Sequence, residues 1–566
     1  MASSISVAAG VGALALAAAP VLAQVAGPSA ADLIPPPSAE VRAFLEASGS
    51  PRPLCATAAG RDLWAVVQDF YAARDDRPAW IDAGGLTPAG QRLVAALAAA
   101  ADEGLDPSRY EPAASLPGGP QVLRVAASGA PAGREAALRE VALTVALARY
   151  AADIGRGHVD PARVSVLWRA QPRSLDVRPI LQQAAASGRP DDVLEALRPR
   201  HPQYAALRAA LRRYSALAAE EARVSTVRAG LPLQRGARSP DIAPLRARLA
   251  LWGDLDGAAA AARGDVLDRP LVDALRHFQA RHGLASQRSL DADTVAALNT
   301  SAADRVRQIA LNLERWRWQP PAPPGRSVLV NIPTFELHAY ADGGEALAMR
   351  VITGRPDSPT PVFGQDMTAV VFSPYWSVPT NIALDETMPA VLSDRSYLRR
   401  MNLEVLRGEE VVDPARVDWR RERGRLSFRQ RPGAGNALGL VKFLLPNSFN
   451  VYLHDTPSKA LFLRPVRALS HGCVRLEKPE ALARWVLEGV PGWTPQRIVA
   501  AMRAGRERAV SLPEAIPVGI VYFTVWVDAD GTVEFRPDVY RHDAAQAPLL
   551  QSPAPPDAAR ALAAAG

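Results

Sequence analysis

The sequence predicts a multidomain protein: a helical N-terminal region, a small three-helix unit, and a mainly β domain holding the reactive residues. Three observations predict it. The chain has 566 residues, more than one core holds, which suggests about three or four domains. Apolar residues recur at helical spacing as far as Trp318, then alternate with a period of two. Between these regimes lies PPAPPGR, from Pro320 to Arg326, a turn-rich joint.

The chain opens on ISVAAGVGALALAAAPVLA, residues 5–23, without a charge. Val21-Leu22-Ala23 has the small-residue pattern of a signal-peptidase site. The first basic residue is Arg42, and the run barely reaches spanning length, so residues 1–23 read either as a signal peptide or as a weak anchor. Both imply export, and an anchor implies inner-membrane association. Residues 24–40, with prolines at 35–37, read as a linker.

Composition narrows the partners. With 48% hydrophobic and 22% charged residues the chain is globular. A net charge of +7 is mild over this length, with no dense Lys/Arg block, which argues against a nucleic-acid partner. Modest attraction to polyanionic envelope polymers is compatible with it. Cys55 and Cys473 are the only cysteines, so the fold does not depend on a disulfide framework. An unpaired thiol in an oxidising compartment is a liability, and Cys473 therefore needs a reason to exist.

Residues 41–230 read as the helical domain. RDLWAVVQDFY (Arg61 to Tyr71), Ala136 to Ile154 and His201 to Leu217 each carry an apolar stripe at helical spacing. His158 and His201 stand alone beside turn signals, as surface or capping residues. Residues 231–300 form the small unit, with helices at 241–254, 269–284 and 293–299. Pro270 suits a first helical turn and Gly283 ends that helix. Its expected core is Leu245, Leu249, Trp252, Leu275, Phe278, Val295 and Leu298, small enough to require docking on a neighbour. His277 and His282 are five apart, on different helix faces, which argues against a joint metal site.

Residues 301–325 read as a connecting helix and linker, 326–500 as the β domain and 501–566 as a C-terminal extension. Strands are expected at 328–332, 335–340, 348–352, 369–372, 440–445 and 449–454. Within the β domain, about 384–435 is a polar, arginine-rich excursion, expected to be ordered over a site because a structureless loop of that length is unusual.

Two strings carry the chemistry: NVYLHDTPSK, Asn450 to Lys459, and RALSHGCVRL, Arg467 to Leu476. Cys473 follows His454 by 19 positions and sits behind Gly472, where the backbone can adopt an unusual φ. A thiol, nearby histidines and backbone N–H groups suit acyl transfer, in which a thiolate attacks a carbonyl and the N–H groups hold the oxyanion. An imidazolium and an arginine beside the thiol would raise its thiolate fraction. The residues alone leave His454 and His471 both open as its partner. Zinc is disfavoured because Cys473, His454 and His471 lack a fourth ligand close by.

HDTPSK and SHGCVRL, with their separation, resemble the signature of L,D-transpeptidases of the YkuD type. VFSPYWSVP (Val371 to Pro379) and VWVDADGTVEFRPDVY (Val525 to Tyr540) are similar to the large, YcbB-like multidomain branch. LRARL, ALRHFQARHGL and TVAALN resemble the peptidoglycan-binding domain of cell-wall enzymes over about 60 residues. ASQRSL (Ala285 to Leu290) departs from that pattern, which often has an Asp-Gly turn there. The resemblance implies a YkuD-like sandwich with a helical scaffold domain, an embedded peptidoglycan-binding domain and a capping subdomain at 384–435.

It also implies roles. Cys473 would be the nucleophile taking the acyl group of a tetrapeptide stem and releasing D-alanine. His454 would be the general base and His471 the support of the thiolate. The N–H groups of Gly472 and Cys473 would form the oxyanion hole. Arg475, Tyr452, Thr456, Ser470, Lys459 and Arg467 would shape the site or meet a substrate carboxylate, a task suited to arginine. A diaminopimelate amine would be the acceptor, giving a 3→3 cross-link in the periplasm, with no metal or organic cofactor and with carbapenems as inhibitors. Two alternatives use the same residues: a cysteine acyltransferase or hydrolase acting on wall-linked protein, and an inactive peptidoglycan-binding scaffold.

Overall fold

In a computed structural model, the structure describes residues 37–48, 58–110, 133–169, 173–231, 234–262, 264–285, 290–321 and 325–551. The apolar run at 5–23 and Cys55 lie outside them. Among the described residues no helix is long and apolar enough to cross a membrane. Residues 37–40, read as the end of a linker, instead open the helix Pro37–Ser48, which buries Val41, Phe44 and Leu45.

The N-terminal region is helical, as its periodicity predicts. Helices Ala58–Ala72, Pro88–Ala98 and Arg134–Arg156 share one core around Trp64, Phe70, Leu93, Val141 and Leu147. His201 caps helix Pro202–Glu221, accepting the Gln203 N–H at 3.2 Å, and stacks on Trp316 at 4.2 Å. His158 is half-buried rather than a surface residue, because Arg109 bonds its ring at 3.0 Å.

The three helices of the small unit form at Ile242–Leu251, Arg269–Arg281 and Ala292–Asn299. Their core is not their own. Leu245, Trp252, Phe278 and Leu298 pack in one cluster with Tyr204 and Leu207 of the N-terminal region and with Phe523, Trp526 and Phe535. His282 lies buried in that cluster, stacked on Phe278, whereas His277 is exposed and pairs with Asp254.

Helix Ala302–Trp318 joins the parts and is buried on all sides from Ile309 to Trp318. Such a helix tolerates arginines only when every donor is matched. Arg317 bonds Glu314 at 2.8 Å, the Tyr204 hydroxyl and the Glu103 carbonyl; Arg315 bonds Gln546 and Asp543.

The β domain is a nine-stranded sheet. Its order is Ala468–Ser470, Gly344–Gly354, Val474–Leu476, Leu453–His454, Val441–Leu444, Phe363–Phe372, Arg508–Val521, Ser327–Asn331 and Glu336–Ala341. Glu336–Ala341 also pairs with Gly344–Gly354, so the sheet curls back on itself around Val330, Leu337, Val370, Phe443 and Val474. Arg508–Val521 bulges between Ser511 and Ile516, where its register shifts beside Pro513. That strand lies between two strands of the β domain, so residues 508–521 belong to the sheet rather than to an appended extension. Residues 165–169 of the helical region join its rim through Arg169 N–H to the Val362 carbonyl at 2.8 Å.

The excursion is ordered. A four-stranded sheet, in the order Trp376–Ser377, Leu426–Gln430, Leu403–Arg407 and Glu410–Val412, has a separate core of Val378, Met388, Val391, Val405, Trp419 and Phe428.

Candidate active site

Leu453–His454 runs parallel to Val474–Leu476, with Leu453 opposite Val474 and His454 opposite Arg475. Strand residues alternate between faces. Leu453, Val474 and Leu476 are fully buried in the core, so His454 and Arg475 occupy the other face. Extended one residue back, the same alternation sets Tyr452 beside Cys473. Lys442, opposite His454 on the next strand, joins them, with its amine 6.0 Å from the Tyr452 ring. Two sequence strings thus meet through a strand pair.

The chain before His454 is shaped by Asn447, whose side chain accepts the Phe449 and Val451 N–H groups at 3.0 and 3.2 Å. Those groups are lost to strand pairing, which reduces the expected strand 449–454 to Leu453–His454. Asn450 then takes φ +54°, and its carbonyl lies 3.8 Å from the Cys473 Sγ.

His454 is buried, and its Nδ1 lies 2.5 Å from the Asp455 carbonyl. A carbonyl only accepts, so Nδ1 carries the proton and Nε2 keeps its lone pair. Burial, reinforced by the Arg475 charge, pushes the imidazole down to about 3. His454 is therefore a neutral base, not the imidazolium that would hold a preformed thiolate.

Cys473 is a free, half-buried thiol. Burial pushes it up, while hydrogen bonds from Tyr452 and the Arg475 charge favour the thiolate. Arg475 is half-buried, and its Nε has no hydrogen-bond partner among the described residues. His471 bonds through Nε2 to Glu386 of the excursion at 2.8 Å.

The remaining expected residues separate by what holds them. Ser470 stitches the cysteine turn: its hydroxyl accepts the Gly472 N–H at 3.2 Å and donates to the Cys473 carbonyl at 2.6 Å. The Gly472 N–H is thereby engaged in this conformation. Thr456 is buried and accepts the Ser458 N–H, shaping the turn after His454. Lys459 pairs with Asp455 at 2.7 Å. Arg467 is buried and donates to the carbonyls of Val351, Thr334, Phe335 and Arg464, so its guanidinium is occupied by backbone carbonyls.

Sequence reasoning missed Asp455, Glu386, Thr360 and Tyr540. Asp455 fixes the histidine turn, accepting Leu440 N–H at 2.8 Å and Thr456 N–H at 2.7 Å. The sequence marks it only by adjacency to His454, and Glu386 not at all.

Residues 325–495 match the family model described as the L,D-transpeptidase catalytic domain, and residues 65–211 the model described as a scaffold domain. That first segment is therefore similar to an L,D-transpeptidase catalytic domain. A protein of Haemophilus influenzae named "Putative L,D-transpeptidase" is 35% identical over 267 residues, 46% of this chain and 54% of that protein. The chain thus spans about half the length of this curated relative. Among solved structures, an L,D-transpeptidase from Mycobacterium smegmatis is 14% identical, over 36% of this chain and 60% of that one, at a TM-score of 0.19. One from Stackebrandtia nassauensis is 13% identical, over 51% and 94%, at 0.20. These structural likenesses are too remote to add to the fold. The matched segment, residues 325–495, holds every residue of the His454–Cys473 face.

Proposed function

We propose that the chain is an exported cell-wall L,D-transpeptidase that forms 3→3 cross-links. The observation that supports it most is the strand register that sets Tyr452, His454, Cys473 and Arg475 on one face of a domain matching this family.

Each step follows from the groups present. The carbonyl of the donor's third residue, in its last peptide bond, meets the Cys473 sulfur, and the thiol proton passes to the free Nε2 of His454 as the C–S bond forms. The tetrahedral oxyanion is held by the Cys473 N–H. Collapse breaks the C–N bond, and D-alanine leaves with the proton from His454. A diaminopimelate side-chain amine of a second stem then attacks the thioester. His454 takes the amine's proton and returns it to the departing sulfur, restoring the thiol. A neutral base suits this cycle because it must accept and release one proton twice.

Arg475 would meet the donor's terminal carboxylate, a role supported by its half-buried side chain on the same strand face as His454. The excursion covers the site from the His471 side through Glu386, and the helices at 242–299 supply a glycan contact. The YcbB-like branch, the periplasmic location and inhibition by carbapenems belong to the same proposal.

The test is to incubate purified protein with disaccharide-tetrapeptide and separate the products. Cross-linked dimer and D-alanine appearing in equal amounts are expected. Free tripeptide without dimer would replace the transferase reading with a hydrolase.

A further inference from the structure

We propose that Thr360 is a positioning residue for the oxyanion hole; this rests on the transpeptidase reading above. Its hydroxyl accepts the Gly354 N–H at 2.8 Å, so its own proton goes to the Gly472 carbonyl, 2.7 Å away. That carbonyl and the Cys473 N–H belong to one planar trans peptide and point in opposite directions. Holding the oxygen therefore aims the N–H.

The aim matters because the other expected donor, the Gly472 N–H, is engaged by Ser470. Gly472 has φ +110°, a conformation that L side chains rarely adopt, so this peptide needs an external anchor to stay in place. Ser470 fixes the next carbonyl, that of Cys473, at 2.6 Å. The two hydroxyls thus hold consecutive peptides on either side of the nucleophile.

Thr360 is itself held rigidly. It lies between Pro359 and Pro361, which restrict the backbone on both sides, and it is 1% exposed. Its N–H donates at 3.2 Å to the Tyr540 hydroxyl, which donates to the Gly354 carbonyl. Gly354 permits this approach: a Cβ there would stand 2.2 Å from the Ser358 carbonyl. Tyr540 belongs to the segment after the last long strand, so the C-terminal part of the chain reaches the nucleophile turn.

The experiment compares two reactions of Cys473 in the full chain carrying Thr360→Val or Thr360→Ser. Acylation by a carbapenem passes through an oxyanion; alkylation by iodoacetamide does not. Loss of one oxyanion donor costs about 100- to 1000-fold, and a misaimed one is expected to cost at least about tenfold. Thr360→Val should slow acylation by that factor, leave alkylation within about twofold, and be rescued by Thr360→Ser. If Thr360→Val does not fold, Tyr540→Phe is the second variant, with the same separation of rates expected. Equal slowing of both reactions, or of neither, overturns the positioning role. A parent that is alkylated but never acylated overturns the transpeptidase reading and this role with it.

Discussion

Glu386 reaches from the excursion to the Nε2 of His471, two residues before Cys473, at 2.8 Å across 85 positions of sequence. It lies in a π-helical turn, Ala383–Thr387, a geometry uncommon enough to mark functional segments. The excursion has its own core, so this contact couples a separately packed body to the Cys473 turn.

Removing the contact should loosen the excursion. Both side chains are partly exposed, so the bond contributes at most about 1 kcal/mol. Glu386→Ala should raise KM for the donor by up to about fivefold, without lowering Tm. Hydrogen exchange at 383–393 should accelerate, and unchanged exchange there would remove the coupling.

The protonation state of the pair is readable from alkylation of Cys473 against pH. His454 is held neutral down to about 3, and burial raises the thiol above its ordinary range. The rate should climb steadily into alkaline pH. A plateau of reactive thiolate from about pH 5 to 8, as in a thiolate–imidazolium pair, would contradict the neutral pair.

Arg475 should act on binding of the donor. Losing a charge-assisted hydrogen bond costs about 1.5–3 kcal/mol, so Arg475→Met should raise KM for tetrapeptide about ten- to hundredfold. An amidated stem terminus should lose affinity in the parent and not in the variant. Equal discrimination by both would place the carboxylate elsewhere.

Acid should destabilise the chain partly through His201. Burial against Trp316 lowers its imidazole to about 4, below the unfolded value near 6.5. The unfolded chain therefore binds the proton first. This contribution is present above about pH 6.5 and lost as pH falls towards 4. His201→Asn keeps a capping side chain and removes the titration. From pH 7 to 4.5 the urea midpoint of the parent should fall further than that of the variant; parallel curves would refute the assignment.

Much of this was legible in the sequence because it rests on local patterns. The helices around Trp64, Leu147 and Tyr204 follow from apolar spacing, and the resemblance carried by the motif strings singles out Cys473 and His454 as the proposed pair. What was not legible depends on partners distant in the chain. The strand 508–521 was read as extension because its prolines and exposed residues 513–515 mask a strand interrupted by a bulge. The core of the small unit is completed by Phe523, Trp526 and Phe535, more than two hundred positions later. Arg467 lies in the same motif string as Cys473, yet its donors meet carbonyls of Val351 in another strand and of Thr334 and Phe335 in the turn before a third. The neutral state of His454 depends on burial, which no spacing reveals.

The central claim is that Cys473 takes the acyl group of a tetrapeptide donor. Its most direct test is intact mass of the protein, quenched in acid during turnover of disaccharide-tetrapeptide, beside Cys473→Ala. The account predicts an adduct equal to the donor minus D-alanine in the parent, mapped to Cys473 and absent from the variant. An unmodified parent that still forms dimer, or an adduct that persists in Cys473→Ala, would contradict it.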